Sequence, residues 1–320
     1  MRIPRFVMPI FPVVPVILVA NVAFAQNYPN KPVRIVTTIT GGSQDLTARF
    51  IAPGLAESLG QPVIVDNRGG LTSMEMVAKA APDGYTLLLA SGSLWLLQYL
   101  RSSVPWDPVR DFAPITLAVT LPNIIAVHPA LPVKSVRELI AWAKARPGEL
   151  NYSSGQAGSS SHLAGELFKS VAGVNILHIP YKGGGPAMLA LISGESRVSF
   201  PNAGSASAFS QSGKLRALAV ASARPSALFP GLPSAADAGL PGYETGATLA
   251  IFAPARTPGT IINRLNQEIV RILNRADVKQ RLLDSGAEAV AGSPAELAAT
   301  MKSDAAITGK LIKDVGIRVD

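Results

Sequence analysis

The chain has 320 residues, which is long enough for two domains, because domains typically contain about 100–200 residues. Hydrophobic residues make up 48% and charged residues 16% of the chain, a composition that excludes an intrinsically disordered protein. The formal charge of +8 comes from scattered lysines and arginines among only 6% aromatic residues. We therefore expect no nucleic-acid binding, but a mild attraction for anions.

The first 25 residues have the pattern of a secretory signal peptide. Arg2 and Arg5 precede an apolar run over about residues 6–20, and the small-x-small sequence AFA follows at residues 23–25. A membrane anchor is the alternative, but prolines interrupt the run, which is shorter than the roughly 20 residues that a spanning helix needs. With no cysteine, the chain has no lipid-anchor cysteine and no disulfide framework. The sequence predicts a periplasmic protein whose signal is cleaved near Ala25.

Strand-like and helical segments alternate in the first part of the mature chain. Runs rich in β-branched or apolar residues predict three strands: KPVRIVTTIT (31–40), PVIVDN (62–67) and YTLLLAS (85–91). Helical periodicity follows the first two strands, from about Asp45 to Leu59 and again in MEMVAKAA (74–81). The third strand is apolar almost throughout, as expected for a strand that is buried on both faces.

The alternation continues to the C-terminus. In ITLAVTLPNIIAVHP (115–129), two short strands are divided by Pro122, as in a segment that passes from one domain to another. Further strands are predicted in LNYSS (150–154), ILHIPY (176–181) and the return strand LAIFAP (249–254). Helices are predicted to begin at Ser135, with Glu138 completing a capping box, at Thr257-Pro258 and at Ser293-Pro294. This order predicts an α/β fold with parallel sheets, in which ligands bind beyond the carboxyl ends of the strands.

Four loops rich in glycine and serine follow predicted strands and precede predicted helices. They are GGS (41–43), RGGLTS (68–73), SSGQAGSSS (153–161) and KGGG (182–185). The first amides of a helix lack intrahelical partners and carry partial positive charge, so a loop of small residues lets an anion approach them. Any one such loop on its own is better explained as a turn with a helix cap. Four at the ligand-binding edge favour a polar pocket.

Catalysis by a serine and a histidine is the alternative interpretation of the third loop. Ser159, Ser160 or Ser161 would attack and His162 would act as the base, but neighbours at a helix start do not face each other, and no G-x-S-x-G motif is present. We expect His162 to be packed or solvent-facing and the serines to be hydrogen-bond donors. Because no P-loop, dinucleotide fingerprint or metal-ligand spacing is present either, we expect no catalytic residue, no metal and no cofactor.

Several segments in combination resemble the Bug family, the extracytoplasmic receptors of tripartite tricarboxylate transporters. They include PDGYTLL, WDPVRDFAPIT, SSHLAGELF and PYKG, and the resemblance runs from about Tyr28 to the C-terminus. It implies a two-lobed periplasmic binding protein of the Venus-flytrap kind (type II), each lobe a mostly parallel sheet flanked by helices. Lobe one would comprise residues 27–123 and 247–320, and lobe two residues 124–246. The strand break at Pro122 and the return strand agree with two crossings that form a hinge.

The resemblance also implies what the protein does. It would be a monomeric receptor that captures a small organic anion, a carboxylate, in the cleft between its lobes and delivers it to the membrane permease subunits of such a transporter. Its sequence does not distinguish this role from that of a ligand sensor that docks on a signalling protein.

The ligand-binding residues that the resemblance implies lie on loops of both lobes. Lobe one would contribute Gly41, Gly42, Ser43, Asp45, Gly69, Gly70, Thr72 and Ser73. Lobe two would contribute Gly155, Gly158, Ser159, Ser160, Tyr181, Gly183, Gly184 and Asn202. The chain departs from the family pattern in its first loop, which reads TITGG (38–42) instead of P-F-x-x-G-G, and at Pro201, where many members have an aspartate. The lack of that acid favours a plain carboxylate over an amino acid.

Overall fold

The computed structural model describes residues 28–38, 40–222 and 224–319, so the predicted signal peptide lies outside the described residues. Within these ranges the chain forms two β-sheets. The strands of the first sheet are β1 (Val33–Thr37), β2 (Val63–Asn67), β3 (Thr86–Ser91), β4 (Phe112–Pro122), β10 (Gly246–Pro254) and β11 (Glu288–Ala289). The strands of the second sheet are β5 (Ile124–Val127), β6 (Asn151–Ser154), β7 (Leu177–Pro180), β8 (Val198–Ser199) and β9 (Arg216–Val220). We use lobe one for the unit of the first sheet and lobe two for that of the second.

Helices cover both faces of each sheet, as the alternation of strands and helices predicts. The helices of lobe one are α1 (Ser43–Leu59), α2 (Gly70–Ala78), α3 (Ser93–Leu100), α8 (Gly259–Leu273), α9 (Ala276–Asp284) and α10 (Pro294–Val315). Those of lobe two are α4 (Val136–Ala145), α5 (Ser160–Ala172), α6 (Gly184–Ser193) and α7 (Ala203–Gln211). In the part of the chain that the structure describes, none of the helices combines the length and the apolar character that a membrane crossing requires.

Each sheet contains both parallel and antiparallel neighbouring strands. The first sheet has the order β11-β4-β10-β3-β1-β2, with β1 parallel to β2 and β3, and β10 antiparallel to both β3 and β4. The second has the order β7-β6-β8-β5-β9, with β6 parallel to β7 and β8. Both sheets are therefore mixed, although most strands of each run in one direction.

Side chains of the third strand alternate between two cores, which confirms that β3 is buried on both faces. Leu87 and Leu89 pack with α1, α8 and α9, whereas Leu88 and Ala90 pack with α2, α3 and α10. All four are at most 1% exposed. Successive residues of a strand point to opposite faces, so one uninterrupted apolar run serves both cores.

The chain crosses between the sheets twice. β4 ends at Pro122 and β5 begins at Ile124, and the return passes through Thr245 into β10. The amide of Asn123 donates to the carbonyl oxygen of Thr245 at 3.0 Å, so the two crossing segments are hydrogen-bonded to each other. The interruption predicted at Pro122 is where the chain leaves the first sheet.

Two helices differ from the sequence-based expectation. α2 begins at Gly70 rather than at residue 74, so Thr72 and Ser73 are helical and not part of a loop. The hydrophobic pattern shows only the part from Met74, because Leu71 in the first turn is 38% exposed. α3 was not predicted, since its segment SLWLLQYL is apolar nearly all round and lacks a clear helical stripe.

Candidate functional site

Three helices of lobe one begin at the same edge of its sheet. α1, α2 and α3 follow the carboxyl ends of the adjacent strands β1, β2 and β3, and their N-cap residues are Gly42, Gly69 and Gly92. No side chain caps any of the three helices. A Cβ atom placed on Gly69 or Gly70 would meet nothing within 4 Å. The first amides of α2 therefore adjoin open space, where a ligand can reach them.

Lobe two repeats this arrangement. α5, α6 and α7 follow the carboxyl ends of the adjacent strands β6, β7 and β8, with Ser159, Gly183 and Asn202 as N-cap residues. Only Ser159 makes a capping bond with its side chain, accepting from the amide of His162 at 3.3 Å. A Cβ atom on Gly155 would lie 3.5 Å from the amide nitrogen of Gly184. The first two loops of this lobe are thus in contact.

One helix start from each lobe contacts the crossing strands. In lobe one, the amide of Gly92 donates to the carbonyl oxygen of Thr248 on β10 at 3.0 Å. In lobe two, the Asn202 side-chain nitrogen donates to the carbonyl oxygen of Leu121 on β4 at 3.3 Å. Leu121 pairs with Ala247, the residue before Thr248. One helix start from each lobe therefore contacts the same short stretch of the crossing pair.

Asp45 holds the first loop in shape. Its carboxylate accepts from the amide of Gly41 at 2.8 Å, from the side chain of Asn67 at 2.9 Å and from Arg49 Nε at 2.9 Å. The side chain is 1% exposed. Burial alone would raise the pKa of Asp45, but these hydrogen bonds outweigh it and lower the pKa below its usual value. The ionised carboxylate of Asp45 therefore stabilises the loop, and its oxygens already accept hydrogen bonds from the protein.

Some predicted residues of the second loop of lobe one are exposed and one is buried. Ser73 is 1% exposed, and its hydroxyl donates to the carbonyl oxygen of Gly70 at 2.7 Å. Thr72, by contrast, is exposed in the first turn of α2. Gly69, Gly70 and Thr72 are therefore accessible to a ligand, whereas Ser73 stabilises the start of the helix.

The serines of lobe two mostly bond to their own loop. The Ser161 hydroxyl oxygen accepts from the amide of Gly155 at 3.0 Å and lies 3.2 Å from the Ser159 hydroxyl oxygen. The amide of Gly158 donates to Nδ1 of His162 at 3.1 Å. Ser160 is the first helical residue and is half-buried, and no described residue hydrogen-bonds its hydroxyl. Ser160 is thus the serine of this row whose donor is available.

Two further predicted ligands use their side chains within the protein. The hydroxyl of Tyr181 donates to Oε1 of Glu195 at 2.8 Å, and burial together with this carboxylate raises the pKa of Tyr181. The side chain of Asn202 is directed at Leu121 and Asn123 of the first crossing. Only the backbone groups at these positions, and at Gly183 and Gly184, remain available to a ligand.

A third loop of lobe one lies at the same edge of the sheet, and the sequence did not predict it as part of the site. Ser91 and Ser93 flank Gly92 at the start of α3, and their hydroxyl oxygens are 2.8 Å apart. The sequence signal was the same as in the other loops, a strand followed by glycine and serine. Because α3 itself was not predicted, the loop could not be placed at a helix start.

The geometry does not support a serine hydrolase. His162 Nδ1 accepts from the amide of Gly158, so the neutral imidazole carries its proton on Nε2 and neither nitrogen is available to act as a base for the neighbouring serines. A serine–histidine contact does occur elsewhere, since Ser154 Oγ lies 2.7 Å from His178 Nε2. Ser154, however, is completely buried, so a substrate cannot reach it.

Comparison with known proteins identifies the family. Residues 47–317 match the family of tripartite tricarboxylate transporter receptors, TctC. The chain belongs to this receptor family. Among curated relatives, the receptor is 37% identical to Protein BugT of Bordetella pertussis over 282 residues, which is 86% of each chain. The resemblance to the Bug family is thereby confirmed.

Solved structures agree with this assignment. The receptor is 34% identical to R. palustris Rpa4515, solved with adipate, with a TM-score of 0.72 and coverage of 91% of this chain and 99% of the other. It is 29% identical to MatC of Rhodopseudomonas palustris, solved with bound malate, with a TM-score of 0.67 and coverage of 89% and 100%. Both the receptor family and its two-lobed α/β fold are therefore as predicted.

Proposed function

We propose that this protein binds a small carboxylate between its lobes, at the helix starts that follow β1, β2 and β3 in lobe one and β6, β7 and β8 in lobe two. The observation that carries the proposal is that α3 and α7, one from each lobe, begin at the same stretch of the crossing strands. Amides at uncapped helix starts are hydrogen-bond donors with partial positive charge, and they stabilise an anion when water is excluded.

Charges around the helix starts favour an anion. Asp45 is neutralised by Arg49, and Asp66 by Arg34 at 3.4 Å and Arg68 at 2.9 Å. Arg68 directly precedes Gly69, and the exposed Lys182 directly precedes Gly183. A ligand carboxylate at these loops would therefore be near hydrogen-bond donors, and the acidic side chains beside it are already paired with arginines.

The related receptors with adipate and malate support a carboxylate as the ligand class.

We further propose that the lobes divide at residues 123/124 and 246/247 and that the two crossings act as the hinge on which they close. In this proposal the protein carries out no chemistry on the ligand. It works in the periplasm and presents the closed complex to the permease subunits of a tripartite transporter.

Thermal shift and calorimetry with four probes test the proposal. We expect adipate or malate to raise the Tm by several degrees at saturation, because a ligand that binds only the folded state stabilises it by mass action. Dimethyl adipate and hexane-1,6-diamine, which lack the carboxylates, should leave the Tm unchanged. Equal shifts with the ester or the diamine would contradict an anion site.

A matched pair of variants locates the site. Gly70 and Gly259 are both the first residue of a helix, and a Cβ atom on either meets nothing within 4 Å. Gly70→Val places an isopropyl group beside the amides of α2, so we expect it to weaken adipate or malate binding at least tenfold. Gly259→Val makes the same change at α8, away from the helix starts of the site, and should leave binding unchanged. Equal binding by both variants would place the ligand elsewhere.

A further inference from the structure

We propose that His162 and His178 are positioning residues, which together hold the loop from Gly155 to Ser159 in shape only while both imidazoles are uncharged. The consequence for ligand binding rests on the function proposed above. The effect on the loop itself does not, because it follows from contacts within lobe two. Acidification would therefore release this loop and, with it, the carboxylate.

The two imidazoles form a stacked pair behind the loop. Their ring centroids are 4.1 Å apart with planes at 8°, and His178 stacks in turn on Tyr152 at 4.8 Å. His162 belongs to the first turn of α5 and His178 to β7, so the stack connects the two elements on either side of the loop. His162 is 7% exposed.

Each imidazole bonds to one end of the loop. At the far end, the amide of Gly158 donates to His162 Nδ1 at 3.1 Å. At the near end, the Ser154 hydroxyl donates to the carbonyl oxygen of Gly155 at 2.9 Å, so Ser154 Oγ accepts from His178 Nε2 at 2.7 Å. The loop that leads to Ser159 and Ser160 is thus held at both ends by the stacked pair.

Protonation is incompatible with these contacts. An imidazole nitrogen that accepts a hydrogen bond from an amide must carry a lone pair, so a proton on His162 Nδ1 would oppose the Gly158 N–H. Two imidazolium rings stacked at 4.1 Å would repel each other. A cation in the first turn of α5 would also meet the positive end of the helix dipole.

The other titratable groups around the pair leave its charge uncompensated. Glu166 on α5 favours protonation, but its carboxylate already accepts from the Tyr152 hydroxyl at 2.7 Å and from Lys169 Nζ at 2.9 Å. Lys169 opposes protonation of both histidines. Tyr152 on β6 and Tyr243, whose hydroxyl donates to the carbonyl oxygen of Ala164, are kept neutral by burial, which raises the pKa of each.

The balance of these effects keeps both rings neutral above mildly acidic pH. Burial lowers the pKa of His162. Burial, followed by the neighbouring His162, lowers the pKa of His178 to about 4. As the pH falls toward that value the rings must take up protons. His162 then loses the hydrogen bond from Gly158, and a second charge makes the two stacked rings repel each other.

The test uses the ligand-free protein, its three histidines and amide exchange. His162→Asn keeps an acceptor oxygen for Gly158, and His178→Gln keeps a group that reaches Ser154, but neither side chain titrates. We expect exchange protection of the Gly158 amide, corrected for intrinsic rate, to fall at least tenfold from pH 7 to pH 4 in the unmodified protein. In the double variant it should stay constant. His128→Gln, which removes the third histidine and lies outside the stack, should behave like the unmodified protein.

Imidazole titration by NMR in the unmodified protein provides a second readout that does not depend on a variant folding. Loss of loop protection should follow the titration of the His162 and His178 imidazole resonances. Protection that is constant over the range, or that falls equally in a folded double variant, would overturn the positioning role. If the loop responds as expected but adipate and malate fail to bind at pH 7, the carboxylate proposal fails and the positioning role stands.

Where a probe binds, its Kd is measured in both proteins at each pH. Protonation of the ligand itself affects both Kd values equally, so it cancels in the ratio of the Kd of the double variant to that of the unmodified protein. We expect this ratio to lie near one at pH 7 and to fall at least tenfold toward pH 4, because only the unmodified loop is released. A ratio that stays constant would overturn the link between the pair and binding.

Discussion

Ser226 of lobe two donates a hydrogen bond to Glu288 of lobe one, with 2.6 Å between Oγ and Oε1. The amide of Ala227 donates to the same oxygen at 2.7 Å. Glu288 lies on β11, whereas Ser226 follows β9, so these bonds join the lobes outside the crossing strands. They form a second connection between the lobes, and a hinge motion that separates Ser226 from Glu288 would break it.

Removal of that connection should loosen the lobes. We expect Glu288→Ala to lower the free energy of unfolding by about 1–3 kcal/mol, because two hydrogen bonds to a charged acceptor are lost and the Ser226 hydroxyl proton is left without its acceptor. The radius of gyration of the ligand-free protein, from small-angle X-ray scattering, should rise as well. Glu75→Ala, which removes only an exposed ion pair with Lys79, is the control. A Glu288→Ala protein that matches this control in both measurements would contradict the prediction.

Gly204 and Gly286 bring the two lobes into direct backbone contact. A Cβ atom on Gly204 would lie 2.4 Å from the Cα atom of Gly286, and backbone does not move aside as a flexible side chain does. We expect Gly204→Ala to destabilise the protein by about 1–3 kcal/mol, as overpacking does, and to change the angle between the lobes. Urea unfolding measures the first effect. Gly259→Ala has open space around its Cβ and should be neutral, so equal stability of the two variants would contradict a tight contact.

Asp45 should matter for the acid stability of lobe one. Its carboxylate has a lowered pKa, so it contributes stability above the unfolded value of about 4, and this contribution is lost as the pH falls through the lowered value. We expect Asp45→Asn to cost about 1–3 kcal/mol at pH 7, since an amide nitrogen would face a donor. The difference from the unmodified protein should shrink below about pH 4.

The control for this change is Asp83→Asn, which alters an exposed ion pair with Lys31. Urea unfolding at several pH values compares the two variants. A cost for Asp45→Asn that is as small as that of Asp83→Asn would show that the loop does not depend on the carboxylate.

Local patterns in the sequence were enough for most of the fold. The Ser135 hydroxyl caps α4 as predicted, by accepting from the amide of Glu138, although the Glu138 carboxylate bonds to the amide of Lys134 instead of completing the box. Around Ser293 the box is complete. Caps and hydrophobic periods are set by neighbours in sequence, which is why these helix starts could be predicted.

Contacts between distant segments could not be predicted in this way. The pairing of Glu288 with Ser226 joins residues 62 apart in sequence, and the stack of His162 on His178 depends on how α5 packs beside β7. The resemblance to the Bug family implied Asp45 and Tyr181 as possible ligands. Only three-dimensional packing shows that their polar atoms bond to Gly41 and Glu195.

The buried histidine pair should make the whole protein less stable in mild acid. In the unfolded chain both imidazoles take up protons near pH 6.5, whereas in the folded chain burial lowers the pKa of both, that of His178 to about 4. The unfolded state therefore binds more protons between these values, and stability must fall as the pH decreases from about 6.5 to about 4. We expect a loss of about 1–2 kcal/mol, less than the full shift would give, because the ring of His178 is partly exposed.

Urea unfolding between pH 7.5 and pH 4 measures this loss, and the His162→Asn, His178→Gln protein should show a flatter profile over the same range. The contribution of Asp45 enters only below about pH 4, so the two effects occupy different pH windows and can be separated in one titration. A profile that is equally steep in the double variant would assign the acid sensitivity to groups other than the stacked pair. The comparison of the two proteins above pH 5 is decisive, because carboxylates that are already ionised do not change the unfolding free energy with pH in that range.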